Sequence, residues 1–284
     1  MKTFAPRTKS LRHTVLVEYR KHLTESKPHK ALTSGRKQAQ GRNAFGRITS
    51  RHRGGGHKQK FRLVDFMFDK RDIPARVESV EYDPNRSSFI SLVCYKDGER
   101  RYVLTPKSVK VGSTLIVSEK APVTPGNRLP LRKIPVGTFV YNVEVKPGGG
   151  AKLIRSAGSY GELIAHDGGD AFLKLPSTEV RKVSGEAWGS VGEVSNSEHK
   201  LVNLGKAGRA RWLGMRPKVR GTAMNPVDHP YGGGEGVQPR GTRRAKTMWG
   251  KAVGKGQKTR RPKKYSNVFI VSRRKPGKLM QSKV

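Results

Sequence analysis

Residues 89–104 read FISLVCYKDGERRYVL. Two runs of β-forming residues, 89–96 and 99–104, flank Asp97-Gly98. That dipeptide readily supplies the positive φ angles of a tight hairpin turn. Working outward, 61–68 (FRLVDFMF) and the alternating 76–82 lie upstream, and 112–117 lies downstream. Five strands over 61–120 predict a small antiparallel barrel of the oligonucleotide-binding type. Cys94 is the single cysteine and sits inside an alternating apolar run. It cannot form an internal disulfide or supply a thiolate zinc site alone, and reads as a small buried hydrophobe.

Residues 121–137 carry Pro122, Pro125, Pro130 and Pro135, with turn chemistry at Pro125-Gly126-Asn127. Proline denies ladder hydrogen bonds, so a linker is expected there. Beyond it, 138–145, 151–156, 161–165, 171–175 and 179–183 are short strand-like pieces separated by Gly, Asp or Pro. They predict a second, SH3-like barrel over 138–200. Each barrel is small enough that its own core is marginal, so mutual packing is expected to add stability. The fold class expected is an all-β core with long irregular basic extensions at 1–60 and 201–284.

The extensions follow from charge. The 284 residues hold 59 Lys and Arg against 21 Asp and Glu, a net charge of +38. Residues 1–60 have 16 basic and 2 acidic residues, 61–200 have 21 and 17, and 201–284 have 22 and 2. Such an excess self-repels in isolation, whereas Lys and Arg set against phosphates release condensed counterions. RNA or DNA is therefore the first partner to consider. A membrane surface would call for a basic amphipathic helix or lipid anchor, and neither is found. The longest apolar stretch, 89–95, is broken by Ser91, far short of the roughly 20 residues of a spanning helix. The first ten residues lack a secretory apolar core, so a soluble, non-secreted protein is expected. Without their partner the flanks are expected to be disordered. The C-terminal flank also carries Trp212, Tyr231, Trp249, Tyr265 and the apolar run 268–271, and is expected to order on RNA.

Several motifs bear on function. Gly41-Arg-Asn-Ala-Phe-Gly46-Arg47-Ile48 has the glycine spacing of a phosphate loop, but Arg47 and Ile48 stand where Lys and Ser or Thr would grip phosphate and magnesium. Nucleotide hydrolysis is set aside. Arg51-His52-Arg53-Gly54-Gly55-Gly56-His57-Lys58 joins cations to a run without Cβ atoms, which lets backbone amides approach phosphates; a flexible solvated linker is the plainer reading. Trp212, among Arg209, Arg211 and Arg216, suits either base stacking or core packing. The run 255–264, KGQKTRRPKK, with Lys255, Lys258, Arg260, Arg261, Lys263 and Lys264, could be a solvated tail or localisation signal, but beside the other basic segments insertion into RNA is the expectation. Asp228-His229 lies in a Gly-rich loop where an imidazole has the chemistry of a general base. Adjacent residues rarely face each other, however, and no Ser or Cys nucleophile accompanies them, so stacking or hydrogen bonding to RNA is an equal use. The eight histidines are scattered without metal-ligand spacing. No cofactor is expected beyond magnesium brought by bound RNA.

Four stretches carry a family resemblance: RHRGGGHKQKFR from Arg51, EYDPNRS from Glu81, LGKAGRARWLGMRPKVRG from Leu204 and AMNPVDHPYGGGEG from Ala223. In this order they resemble the bacterial-type family of ribosomal large-subunit protein two. The resemblance implies two barrels seated on large-subunit ribosomal RNA, with extensions threading between RNA helices. It adds Lys60, Arg62, Arg86, Lys206, Arg220 and Asn225 to the RNA-binding candidates. It also implies a structural constituent rather than an enzyme, acting in the cytoplasmic, bacterial-type ribosome. Roles in subunit assembly, subunit association, transfer RNA binding and support of peptide-bond formation come with it. The implied partners are large-subunit ribosomal RNA, small-subunit ribosomal RNA at an inter-subunit bridge, and other ribosomal proteins, with no membrane. His229 is implied to be functionally sensitive without being a proven catalyst. Tyr231 stands where the family usually has a second histidine, and 17–40 diverge from the bacterial pattern. Competing readings are a nuclease or transferase, which would need clustered carboxylates or a nucleophile beside a base, and a free RNA chaperone.

Overall fold

The computed structural model describes residues 1–38, 40–236, 241–254 and 259–274. Short pairings open the chain. Strand β1 (Lys2–Thr3) pairs with β2 (Val15–Leu16), and β3 (Thr33–Gly35) pairs with β4 (Lys60–Arg62). Between the first two, helix α1 (Lys9–Arg12) starts at Thr8, whose hydroxyl accepts the Leu11 amide at 3.3 Å.

The first sheet comprises β5 (Ala75–Glu81), β6 (Ile90–Tyr95), β7 (Arg100–Leu104) and β8 (Thr114–Leu115), in the antiparallel order β7-β6-β5-β8. The expected hairpin is present. Tyr95 N–H donates to the Glu99 carbonyl at 2.9 Å and Gly98 N–H to that of Tyr95 at 2.9 Å. Gly98 sits at φ +86°, so the loop has three residues and a left-handed glycine rather than two. The expected strand over 61–68 stops at Arg62. The Asp65 carboxylate accepts the amides of Met67 and Phe68 at 2.8 and 3.0 Å, and Phe68 takes φ +54°. That local turn outcompetes the ladder.

The second sheet contains β9 (Arg128–Pro130), β10 (Phe139–Tyr141), β13 (Gly161–Asp167), β14 (Asp170–Lys174), β15 (Val180–Ser184), β16 (Trp188–Val191) and β17 (Ile270–Ser272). Its order is β17-β15-β14-β13-β10-β16-β9, while β11 (Val143–Glu144) and β12 (Ala151–Leu153) form a separate ribbon. Two expectations need correcting. Residues 121–137 are no linker: β9 is an edge strand, where proline is tolerated, and Leu129, Leu131 and Ile134 are core side chains. The flanks, in turn, are not wholly outside the sheets, because β17 extends the second sheet and the His29 amide donates to the Tyr102 hydroxyl at 2.7 Å.

The apolar clusters join what the sequence reads as two barrels. Trp188 and Ala151 pack with Phe68, Val77, Val93, Tyr95 and Val103, and Tyr141 and Val194 pack with Ile90, Leu92, Tyr102 and Leu104. One buried ion pair lies beside them. Arg128 and Glu144 meet at 2.9 Å, and the Arg128 guanidinium stacks 4.3 Å from the Phe68 ring centre. The core is all-β.

By its contacts the chain divides into two units. The first, Met1–Lys37 with Lys58–Lys206 and Val268–Val284, holds both sheets. The second joins Gln38–His57 to Ala207–Asn267 and contains, among its described residues, one short α-helix, α2 (Ala207–Trp212), two 3-10 turns (Gly221–Ala223 and Tyr265–Asn267) and hairpins. Among its described residues only Gly54 and Ser266 are buried, and no apolar side chain is. No helix among the described residues is long and apolar enough to cross a membrane.

Candidate nucleic-acid interface

In the second unit, two motifs far apart in sequence close on each other through their backbones. Gly54 N–H donates to the Gly214 carbonyl at 3.0 Å, His57 N–H to that of Trp212 at 2.8 Å, and Arg216 N–H to that of His52 at 3.1 Å. Arg53 and Met215 form an antiparallel bridge. The glycines make this clasp sterically feasible. A Cβ on Gly56 would lie 2.8 Å from the Gly214 nitrogen and 2.9 Å from its Cα, and Gly54 takes φ +122°. The Arg211 guanidinium covers Gly55 and approaches the Gly54 carbonyl at 3.4 Å. The triple glycine thus admits protein backbone, and the amides of Gly54 and His57 are spent inside the clasp rather than held out to phosphate.

The second motif, 223–236, curls around His229. The amides of Asp228 and His229 donate to the Asn225 carbonyl at 3.0 and 3.3 Å. His229 Nδ1 accepts the Tyr231 amide at 3.1 Å, and the Tyr231 ring lies 4.9 Å from the imidazole. Gly221 also lies against the ring, since a Cβ there would come within 2.5 Å of it. The Tyr231 hydroxyl accepts the Lys246 amide and a 3.5 Å hydrogen bond from the Thr242 hydroxyl. Tyrosine at this position ties the loop to the segment after it. Among the described residues no group of three or more His, Cys, Asp or Glu is placed to hold a metal ion.

The unit's charge is one-sided. Its two segments hold 20 Lys and Arg against Asp228 and Glu235 alone. Two acids cannot neutralise such a surface. Arg53, Arg216, Arg220, Arg261, Lys263 and Lys264 are exposed, as are the aromatic rings of Phe45 (89%), Trp212 (56%), Trp249 (69%) and Tyr265 (81%). Exposed aromatics among cations suit base stacking with phosphate contact.

Residues 29–117 match the family model described as Ribosomal Proteins L2, RNA binding N-terminal domain. Residues 124–250 match Ribosomal Proteins L2, C-terminal domain. The chain is 52% identical over 278 residues to the large ribosomal subunit protein uL2 of Granulibacter bethesdensis, covering 98% of this chain and 99% of that one. With the protein of the same name from Rhodospirillum centenum it shares 54% over 275 residues, covering 96% and 98%. The chain belongs to the ribosomal protein L2 family.

Membership in the L2 family sets aside the nuclease and transferase readings, because the family comprises structural ribosomal proteins rather than enzymes. It also frames the remaining candidates. Lys58, Lys60, Arg62, Arg86 and Lys206 belong to the first unit, whereas the clasp residues belong to the second. Arg62 is only 9% exposed, with Nη1 donating to the Lys60 carbonyl at 2.9 Å. Arg86 pairs with the buried Asp83 and stacks 5.3 Å from the Phe66 ring centre. Both arginines serve the protein's own packing, which their charge alone does not reveal. Arg260 donates to Asn267 Oδ1 at 2.8 Å and to the Ser266 hydroxyl at 2.9 Å, shaping the C-terminal turn. Arg51 stacks 5.2 Å from the Trp249 ring centre, an aromatic partner that motif reading passed over. Lys255 and Lys258 lie outside the described residues.

Proposed function

We propose that this chain is a structural constituent of the large ribosomal subunit that binds large-subunit ribosomal RNA chiefly through its second unit. One observation carries the reading: the sequence of that unit holds 20 Lys and Arg against two acids, and the unit buries no apolar side chain among its described residues. A polypeptide without an apolar core gains little by folding alone. Against RNA, the same surface exchanges self-repulsion for counterion release. The clasp then sets the spacing of Arg53, Arg209, Arg211 and Arg216, and the exposed rings supply stacking faces.

On this reading the protein joins the subunit during assembly, within the cytoplasmic, bacterial-type ribosome. The finer roles are subunit association through a bridge to small-subunit ribosomal RNA, contact with other ribosomal proteins, transfer RNA binding and support of peptide-bond formation. They rest on the family resemblance. His229 is the residue proposed to be sensitive in the last of these. Its Nδ1 is occupied by the Tyr231 amide, so it offers Nε2 to RNA rather than a free base. Magnesium arrives with the RNA and needs no ligand set of the protein's own.

The test is sedimentation of a tagged full-length copy from extract in a magnesium-containing, high-salt gradient. Co-migration with the large subunit is the expected result. Recovery only in the free-protein fractions would return the free chaperone reading.

A further inference from the structure

The second unit contains two hairpin tips built alike from unrelated parts of the chain. In Asn43-Ala44-Phe45-Gly46-Arg47, Asn43 N–H donates to the Arg47 carbonyl at 2.9 Å and Gly46 N–H to that of Asn43 at 3.1 Å. In Thr247-Met248-Trp249-Gly250-Lys251 the equivalent bonds measure 2.8 and 3.0 Å. Both glycines sit at φ +77°, the left-handed residue of a three-residue hairpin loop. Antiparallel bridges close the two stems, Arg42 to Ile48 and Lys246 to Ala252.

The same position at each tip holds an aromatic ring that the fold leaves in solvent, Phe45 at 89% and Trp249 at 69% exposure. Neither stabilises its hairpin by burial, and a polar residue would serve the turn better. Each is flanked by exposed cations on the stem, Arg42 and Arg47 in one, Lys246 and Lys251 in the other. Arg51 stacks near one ring, 5.2 Å from the Trp249 centre.

We infer that Phe45 and Trp249 are paired stacking tips that each take an unpaired RNA base, with the stem cations holding the flanking phosphates. A protein occupant is disfavoured by the four stem cations in a unit with only two acids. Base stacking on an aromatic face tolerates any sequence, which fits tips whose other loop residues, Ala44 and Gly46 or Met248 and Gly250, have no polar group to read base edges. The inference rests on the RNA-binding reading above and gives it two specific contacts.

The test uses the full chain and full-length large-subunit ribosomal RNA, with affinity followed across a salt series and base accessibility mapped chemically. Phe45→Leu and Trp249→Leu keep an apolar tip but remove the stacking face. Each should weaken binding about 10-fold with the salt slope unchanged, and each should expose its own small set of unpaired bases to reagent. Trp249→Phe should recover most of the affinity. If either leucine variant binds as the unaltered chain does, or shows its loss in the salt slope, the inference fails while the RNA reading stands. If the unaltered chain binds without salt dependence, the RNA reading itself fails and takes the tips with it.

Discussion

The Arg128 guanidinium lies 2.9 Å from the Glu144 carboxylate, and the two side chains are 1% and 3% exposed. Around them, Arg128 also donates to the Asn142 carbonyl at 2.6 Å, and Glu144 accepts the Gly148 amide at 2.9 Å. Burial disfavours the charged guanidinium, pushing its pKa down, while Glu144 opposes the shift.

Removing one partner leaves a buried charge without compensation. Glu144→Ala should therefore destabilise the first unit by about 3–5 kcal/mol. Arg128→Met combined with Glu144→Leu should cost much less, because no charge is stranded. Thermal denaturation of the full chain, followed by its β-sheet signal, checks both. Equal losses in the single and double variants would sink the argument.

Buried tyrosines contribute to stability at alkaline pH. Burial raises the pKa of Tyr95 to about 12, and also raises those of Tyr19, Tyr82, Tyr102 and Tyr141. Below the ordinary phenol value of about 10, folded and unfolded chains are both protonated at these positions and the stabilisation is fully present. As pH rises from there through about 12, the unfolded chain loses its protons first and stability falls. The free chain should unfold across that window, with tyrosinate absorbance rising together with loss of sheet. Site-resolved ionisation of Tyr95 well before loss of sheet would contradict its burial.

Gly56→Ala tests the clasp. Its Cβ would lie 2.8 Å from the Gly214 nitrogen and 3.1 Å from the Trp212 carbonyl oxygen, backbone atoms that cannot swing aside. Overpacking of this kind costs about 1–3 kcal/mol. RNA affinity should fall, while the melting of the two sheets stays unchanged because no clasp residue belongs to the first unit. Unchanged affinity would mean the clasp does not shape the RNA surface.

Gly221→Ala places a Cβ 2.5 Å from His229 Cε1 and must displace the imidazole. Subunits reconstituted with it should keep the protein bound but lose peptide transfer to the same degree as His229→Ala. A Gly221→Ala subunit with full activity would show that the seat of the ring is irrelevant.

How far the sequence could be read depends on whether its cues were local. The 89–104 hairpin was legible because both strands and the Asp97-Gly98 turn are contiguous. Strand β9 was hidden by Pro130, which an edge position tolerates, and β16 by Gly189, whose added Cβ would lie 2.9 Å from Leu131 Cδ2. The run 268–271 was noticed as apolar, but its partner β15 lies far away in sequence. Both halves of the clasp stood out as motifs. Nothing local revealed that they bond to each other. The resemblance places Arg62 and Arg86 among the RNA-binding candidates, whereas their packing depends on the tertiary positions of Lys60, Asp83 and Phe66.

The clasp also governs timing. Gly54 and its partner Arg211 are 157 positions apart, so the first half leaves the synthesising ribosome long before the second exists. Domains form in the order their segments emerge, yet this one cannot close until most of the chain has been made, and β17 joins its sheet later still. Until then residues 38–57 form a bare cationic arm whose grip on any nearby nucleic acid is weak and salt-labile. The arginines of the clasp therefore reach their fixed spacing only after residues 207–216 have joined 52–57.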